Sequence, residues 1–585
     1  MLSLLLTPLL FPVAAPQDPA TPEPAPERTE PVQRADGWNA ELAEHLLNRA
    51  GFGARPDEVE RAVALGRAAF VDDLLERRVP RGEYFFENVA ARRSERKMSE
   101  VIEFDAKAKR EVRKRKRRSD DEQLSDYGAW WIERMLSGED PLREKMTLFW
   151  HGHFATSQQT VKNSFEMIQQ NELFYAHALG RFEDLLQGVV RDPAMLEYLD
   201  NDENKKSSPN ENLARELMEL FTLGEGNYSE RDVQEAARTL TGWSDGGGKF
   251  RVIKKRHDDG DKTVLGRTGP FDGDDLVRIL LEQPACGAFL AGKLLAWFEG
   301  VEPDPDRAGF YGDFLAANDY DVTAFLRRLF NDPAFYRDEI RGNRIAGPVE
   351  HLVSTSRRLG IEPPSRFLLA SGTALGQRLF FPPSVKGWDG GEAWISTSSF
   401  MQRGNLAGVL LGVVDVDDIV NDYGPLEDEA QMDADAAPDA AMEPAGGGWG
   451  ADPAASMDEM GDAVAMEDMQ ADAMEPQGSP SRKLGDLQAL KGLRSMKWRP
   501  RINLTTRLAE AKKRKDGAMV RCLADELLAL PLSKETRDFL VAELREKRRS
   551  QGIKNGQLLK KPEVAEPILR DLAHLMLSLP EAQLN

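Results

Sequence analysis

The residues best suited to chemistry in this 585-residue chain are the histidine pair His151-Gly152-His153 and a polar group around Arg215, Glu216 and Glu219. Imidazoles and carboxylates bind first-row metal ions and carry protons in hydrolysis, so the two groups together point to metal-assisted or acid–base chemistry. On a strand the two rings of an HxH would share a face, but Leu142, Met146, Phe149 and Trp150 recur at helical spacing just ahead of it. If that helix runs through His153, the rings point roughly 160° apart, with His153 over Phe149 and Trp150 and His151 opposite. A reversal at Gly152 would instead let both rings reach one site. Two readings stand: ligation of a divalent metal, or a packed His153 with His151 capping or exposed.

The carboxylates leave a similar choice. Glu216 and Glu219, at i and i+3, can converge on one ion, as paired carboxylates do inside helical bundles. Asp200 and Glu235 are further candidate ligands, and Asn210, Asn212, His257 and Trp388 are candidate substrate contacts. Against this, Arg215 can pair with Glu211 or Glu219 along the helix, which would make the stripe a structural network. The run His257-Asp258-Asp259-Gly260-Asp261 is rich in oxygen but lacks the spacing and closing glutamate of an EF-hand, and it reads as a turn. Trp388 and Trp394, in a glycine-rich loop, could stack a sugar ring, although anchoring the loop is the preferred role.

The elements that must position these groups centre on 208–243. Ser208-Pro209-Asn210-Glu211 has the pattern of a capping box with proline at the first helical position, predicting a helix from Pro209. Leu213, Leu217, Leu220 and Phe221 would form its core face, and Asn212, Arg215, Glu216 and Glu219 a polar one. Gly224 and Gly226 end it, Ser229 and Asp232 cap a second helix, and Gly242 suits the position after that. Asp140-Pro141, Asp192-Pro193 and Asp332-Pro333 mark other helix starts, and 250–253 is the best candidate for a short strand.

The stretch PNENLARELMELFTLG, followed by Tyr228 and DVQEAARTLTGW and preceded by FWHGHF, resembles the bacterial DUF1800 family. LLNRAGFG, HDDGDKTVLG, PPSVKGW and the closing helices are similar to other elements of that family, so the resemblance runs from about Leu42 to Gln583 apart from two insertions. It implies a mainly α-helical, usually exported protein and brings no established activity.

Composition sets the remaining bounds. A net charge of −21 argues against nucleic acid as a partner, because phosphate binding needs an excess of Lys and Arg. The apolar start over 1–15 reads as a signal peptide, which would place the protein in the periplasm or outside the cell, and 16–36 as a disordered Pro-rich linker. One large helical domain is expected over 37–424, with a basic insertion at about 81–122, and its C-terminal part over 486–585. The acidic, Met- and Ala-rich stretch over 425–485 lacks the branched aliphatics for a core and reads as disordered. No later run suggests a transmembrane span, and the two cysteines, Cys286 and Cys522, read as buried thiols. P-loop, G-x-S-x-G and H-E-x-x-H patterns are absent. The leading expectation is therefore a metal-assisted hydrolase with a His/Glu site. The alternative is a non-catalytic binding or assembly protein of the cell envelope with a structural polar core.

Overall fold

The computed structural model describes residues 37–77, 79, 82, 84, 106–414 and 498–585, with 106–119 described by backbone alone. The expected signal peptide, the Pro-rich linker, much of the basic insertion and the acidic stretch lie outside the described residues. Among the described residues the chain is mainly α, as expected.

Helices α1 (Ala40–Ala50), α2 (Pro56–Leu65) and α3 (Arg67–Glu76) open the fold, and α4 (Ala106–Ser137) is the longest helix among the described residues. Next come α5 (Pro141–His153), α6 (Gln158–Val161), α7 (Ser164–His177), α8 (Phe182–Val189) and α9 (Pro193–Tyr198). The Asp-Pro starts at α5 and α9 fall where expected, and Asp192 caps α9 by accepting from the Met195 N–H at 3.0 Å. Asp332-Pro333 opens only a single 3₁₀ turn, Pro333–Tyr336.

The central helix departs from expectation at both ends. It begins as α10 at Asn212, because buried Asn204 accepts from the Asn210 N–H at 3.0 Å and Ser208 is held in a turn on Lys205. Asn210 then accepts from the Asn212 N–H at 2.9 Å, which leaves Glu211 free to reach Arg215. Past Glu216 the helix widens into a π-helical turn, Leu217–Thr222, in which the Leu223 and Gly224 N–H groups both reach the Met218 carbonyl. The widening carries Met218 into the core and leaves Leu220 only partly buried. Such turns are rare and concentrate at functional sites.

Helix α11 (Glu230–Thr239) has the expected Ser229/Asp232 capping box, and Gly242 ends the unit at a φ of +77°. Two hairpins follow: β1 (Trp243–Asp245) with β2 (Phe250–Val252), and β3 (Lys262–Val264) with β4 (Arg267–Gly269). The first contains the expected strand, whereas the second was not expected. The first half of the molecule closes with α12 (Gly273–Leu281), α13 (Pro284–Glu299), α14 (Pro305–Ala317) and α15 (Val322–Asn331). The rest comprises α16 (Pro348–Leu359), α17 (Ser365–Ala374), α18 (Thr397–Leu411), α19 (Leu504–Glu510), α20 (Asp516–Leu527), α21 (Lys534–Ser550) and α22 (Pro562–Leu577).

Two apolar cores result among the described residues. The first gathers Trp150, Phe182, Leu217, Phe221, Leu294 and Phe325, and the second Tyr127, Trp131, Leu352, Leu368, Leu523 and Leu572. Tyr198 and Trp297 pack against both and so mark the seam between them. The seam also holds buried charge: Glu350 accepts from Lys145 Nζ and from Arg344 at 2.7 and 2.9 Å, and Lys145 also donates to the Gly51 carbonyl at 3.0 Å. Cys286 is buried and Cys522 half-buried, and both are free thiols. No single described helix is long and apolar enough to cross a membrane.

Candidate functional site

Helix α5 runs straight through Gly152 to His153, so the two histidines face opposite ways. His151 turns toward the second core, 5.5 Å from Trp131 and 5.6 Å from Trp388 between ring centres. Its Nε2 accepts from the backbone N–H of Phe380 at 3.0 Å, so the ring is neutral with its proton on Nδ1. Burial alone pushes its pKa down to about 3. Phe380 sits in the left-handed region at a φ of +67°, and this hydrogen bond helps to hold it there.

His153 faces the first core and stacks on Phe149 at 5.8 Å. Its Nε2 lies 3.2 Å from the Phe221 carbonyl, at the end of the π-helical turn; a carbonyl can only accept, so the proton is on Nε2. Nδ1 is left as a buried acceptor with no partner. Burial first, then the nearby Lys293 ammonium, hold the imidazole well below its usual pKa, so it too is neutral.

Three remote stretches meet at this point. The loop 382–388 reaches α5 so closely that a Cβ on Gly387 would lie 2.4 Å from the Gly152 carbonyl oxygen, and Gly387 has a φ of +80°. Gly387→Ala is therefore expected to destabilise the protein by about 1–3 kcal/mol, read as a lowered denaturant midpoint. An unchanged midpoint would mean that the loop is not held against α5. The loop brings Lys386 near Glu216, and the π-helical turn places Glu219 beside Tyr228, whose hydroxyl donates to Glu219 Oε2 at 3.1 Å.

Glu216 is the group on which the site turns. It is partly buried and makes no side-chain hydrogen bond or ion pair among the described residues. Burial first and Glu219 second raise its pKa to about 7, against the pull of Lys386 and Arg215. Tyr198, on the seam, is pushed up to about 12 by burial and by Glu216. Asp192 is also raised to about 7, but its carboxylate is taken up by the Met195 N–H and by Gln170 Nε2 at 2.7 Å. Glu216 is thus a carboxyl that can hold or release a proton near neutral pH with no structural partner to lose.

The other expected site residues are placed apart from Glu216 or engaged in structure. Arg215 pairs with Glu211 at 3.1 Å, one of the two structural pairings that the sequence allowed, and with Glu230 at 2.7 Å, which was not expected, while Glu219 is not its partner. Glu235 accepts from Arg238 and from the Thr263 N–H, both at 2.8 Å. Asp200 is exposed in a left-handed turn, and its carbonyl takes Asn210 Nδ2 at 3.4 Å. Asn210 and Asn212 shape the start of α10, and His257 Nδ1 donates to the Thr241 carbonyl at 2.8 Å. Trp388 packs on His151. Among the described residues no group of three or more His, Cys, Asp or Glu is gathered in a way that could hold a metal ion.

Lys293, Lys386 and Tyr198 are the neighbours that sequence reasoning missed. Lys293 carried a signal: it is the only charged residue between Pro284 and Phe298 in an otherwise apolar helix. Lys386 lay in plain sight beside Gly387.

The fold and site define a mainly α-helical protein with a protonatable carboxyl where two cores meet. The chain belongs to the DUF1800 family, proteins of unknown function, whose family model matches residues 45–584. No curated protein and no solved structure matches it.

Proposed function

We propose that the seam site is the acid–base centre of a hydrolase-type enzyme, with Glu216 as the proton-transferring group. The observation that supports this most is the meeting of three remote stretches around one unpartnered carboxyl whose pKa lies near neutrality. In this role Glu216 protonates a leaving group or takes a proton from water, and burial, with Glu219 held by Tyr228 beside it, raises its pKa to about 7 so that both forms are present near neutral pH. A metal-assisted form of the reaction would have to draw on donors beyond these, since His151 and Glu235 are already engaged.

The test is a set of chromogenic esters, amides, glycosides and phosphoesters, assayed with wild type and with Glu216→Gln. Turnover that the variant loses supports the proposal, and turnover that the variant keeps refutes it. Independently, carboxyl-carbon NMR should find Glu216 titrating near 7, and a value at the ordinary 4.5 would also refute the proposal. The engaged states of His151, Arg215 and Glu235 favour the second reading, a non-catalytic binding protein with a satisfied polar core. Under it, Glu216→Gln would alter the binding of a partner with no turnover to lose.

A further inference from the structure

We infer that the site takes its substrate by an anionic group, a carboxylate or phosphate, held between the ammonium groups of Lys293 and Lys386. This rests on the acid–base reading of Glu216 for the substrate's fate, but not for its binding.

Lys293 stands in the middle of α13, partly buried, with its ammonium 5.1 Å from the centre of the Phe289 ring. It makes no ion pair and no side-chain hydrogen bond among the described residues. Burial lowers its pKa, Glu302 pulls it back, and the like charge of Lys386 lowers it further. An ammonium drawn out of water without a counter-ion is costly, and a chain with a net charge of −21 has no shortage of carboxylates to supply one. Elsewhere buried cations have partners: Lys145 and Arg344 share Glu350, Arg307 has Glu299, and Arg49 donates to the Ile340 carbonyl and to Asn343 Oδ1.

Lys386 comes from a loop remote in sequence. Its loop is fixed by the approach of Gly387 to the Gly152 carbonyl, and its exposed side chain is near enough to both Glu216 and Lys293 to act on each. Glu216, the acid on which Lys386 acts, and Glu302, the acid that acts on Lys293, form no ion pair with either lysine among the described residues. The second, independent observation is His153, 6% exposed, whose Nδ1 is a buried acceptor without a partner in the neighbourhood of Lys293. Buried polar atoms without partners are rare in proteins and mark a place that a polar ligand or water completes. Two ammonium groups without an ion pair among the described residues, and a buried acceptor without a partner, make a site for an anion that also carries a donor, as a protonated phosphate or a hydroxy acid does.

The experiment uses the full chain and two simple probes, inorganic phosphate and acetate. Acetylation of lysines by an amine-reactive ester is followed residue by residue by mass spectrometry, with and without the probe. Phosphate or acetate should slow the modification of Lys293 and Lys386 together and leave exposed lysines such as Lys534 unaffected. Lys386→Met, on an exposed side chain that the fold does not need, should weaken that protection of Lys293 by about tenfold in probe concentration. Equal slowing at all lysines would mean an adventitious ion only and would overturn the inference, as would full protection of Lys293 in Lys386→Met. Glu216→Gln, which keeps a neutral side chain of the same shape, separates the two proposals, because it should lower turnover by about 10²–10⁴-fold and leave the protection in place. Protection with no turnover supports the anion site while counting against the acid–base reading. Turnover without protection by either probe overturns the anion site alone.

Discussion

Glu350→Ala is expected to destabilise the protein by about 3–5 kcal/mol, the loss typical when one partner of a buried ion pair is removed. Glu350 is 2% exposed and accepts from Lys145, from both terminal nitrogens of Arg344 and from the Gly347 N–H. Burial pushes its carboxyl up, but Arg344 first and then Lys145 outweigh it and hold the group well below the usual carboxylate range. Without it two cations, with Arg49 close by, stay at the seam with no counter-charge. The sign with pH follows: a carboxyl depressed from 4.5 stabilises fully above about pH 4.5, and its contribution is lost as pH falls through the folded value. The measurement is the urea midpoint of wild type, Glu350→Ala and the double variant Glu350→Ala with Lys145→Met. Partial recovery in the double variant is expected because one orphaned charge is gone. A loss below about 1 kcal/mol would show that Lys145 and Arg344 reach water, as surface pairs do.

Glu216→Gln is expected to do the reverse, stabilising the protein while removing its chemistry. The folded pKa of Glu216 is raised from 4.5 to about 7, so between these values the folded protein keeps a proton that the unfolded chain has released. Stability therefore falls as pH rises through that window and levels off above it. Glutamine has no such slope. At about pH 8 the variant should be more stable than wild type by about 1–2 kcal/mol, a figure already reduced for the partial exposure of the group. At about pH 4 the two should coincide, because both carry a neutral side chain. Any turnover should fall by about 10²–10⁴-fold, the range for loss of a general acid or base. Equal stability of the two proteins at both pH values would mean that Glu216 titrates normally.

What sequence determined was the fold class, the family and many of the helix starts, because these are local. The Ser229/Asp232 capping box and the Gly242 stop obey rules that act within a few residues, and the structure has both. The divergence of His151 and His153 was also legible, since it follows from helical pitch once Gly152 continues the helix. The start of α10 was not legible: it was set by Asn204, six residues before Asn210, through a hydrogen bond that no local pattern announces. Nor was the π-helical turn, which aligns the Phe221 carbonyl with His153 from a different helix. The site itself is a tertiary product. Glu216 looked like one of several similar acids, and what distinguishes it is partial burial, Glu219 beside it and no cation within pairing distance among the described residues. Burial and charge at a distance depend on which segments come together in space, and Lys386 lies 170 positions further along the chain than Glu216.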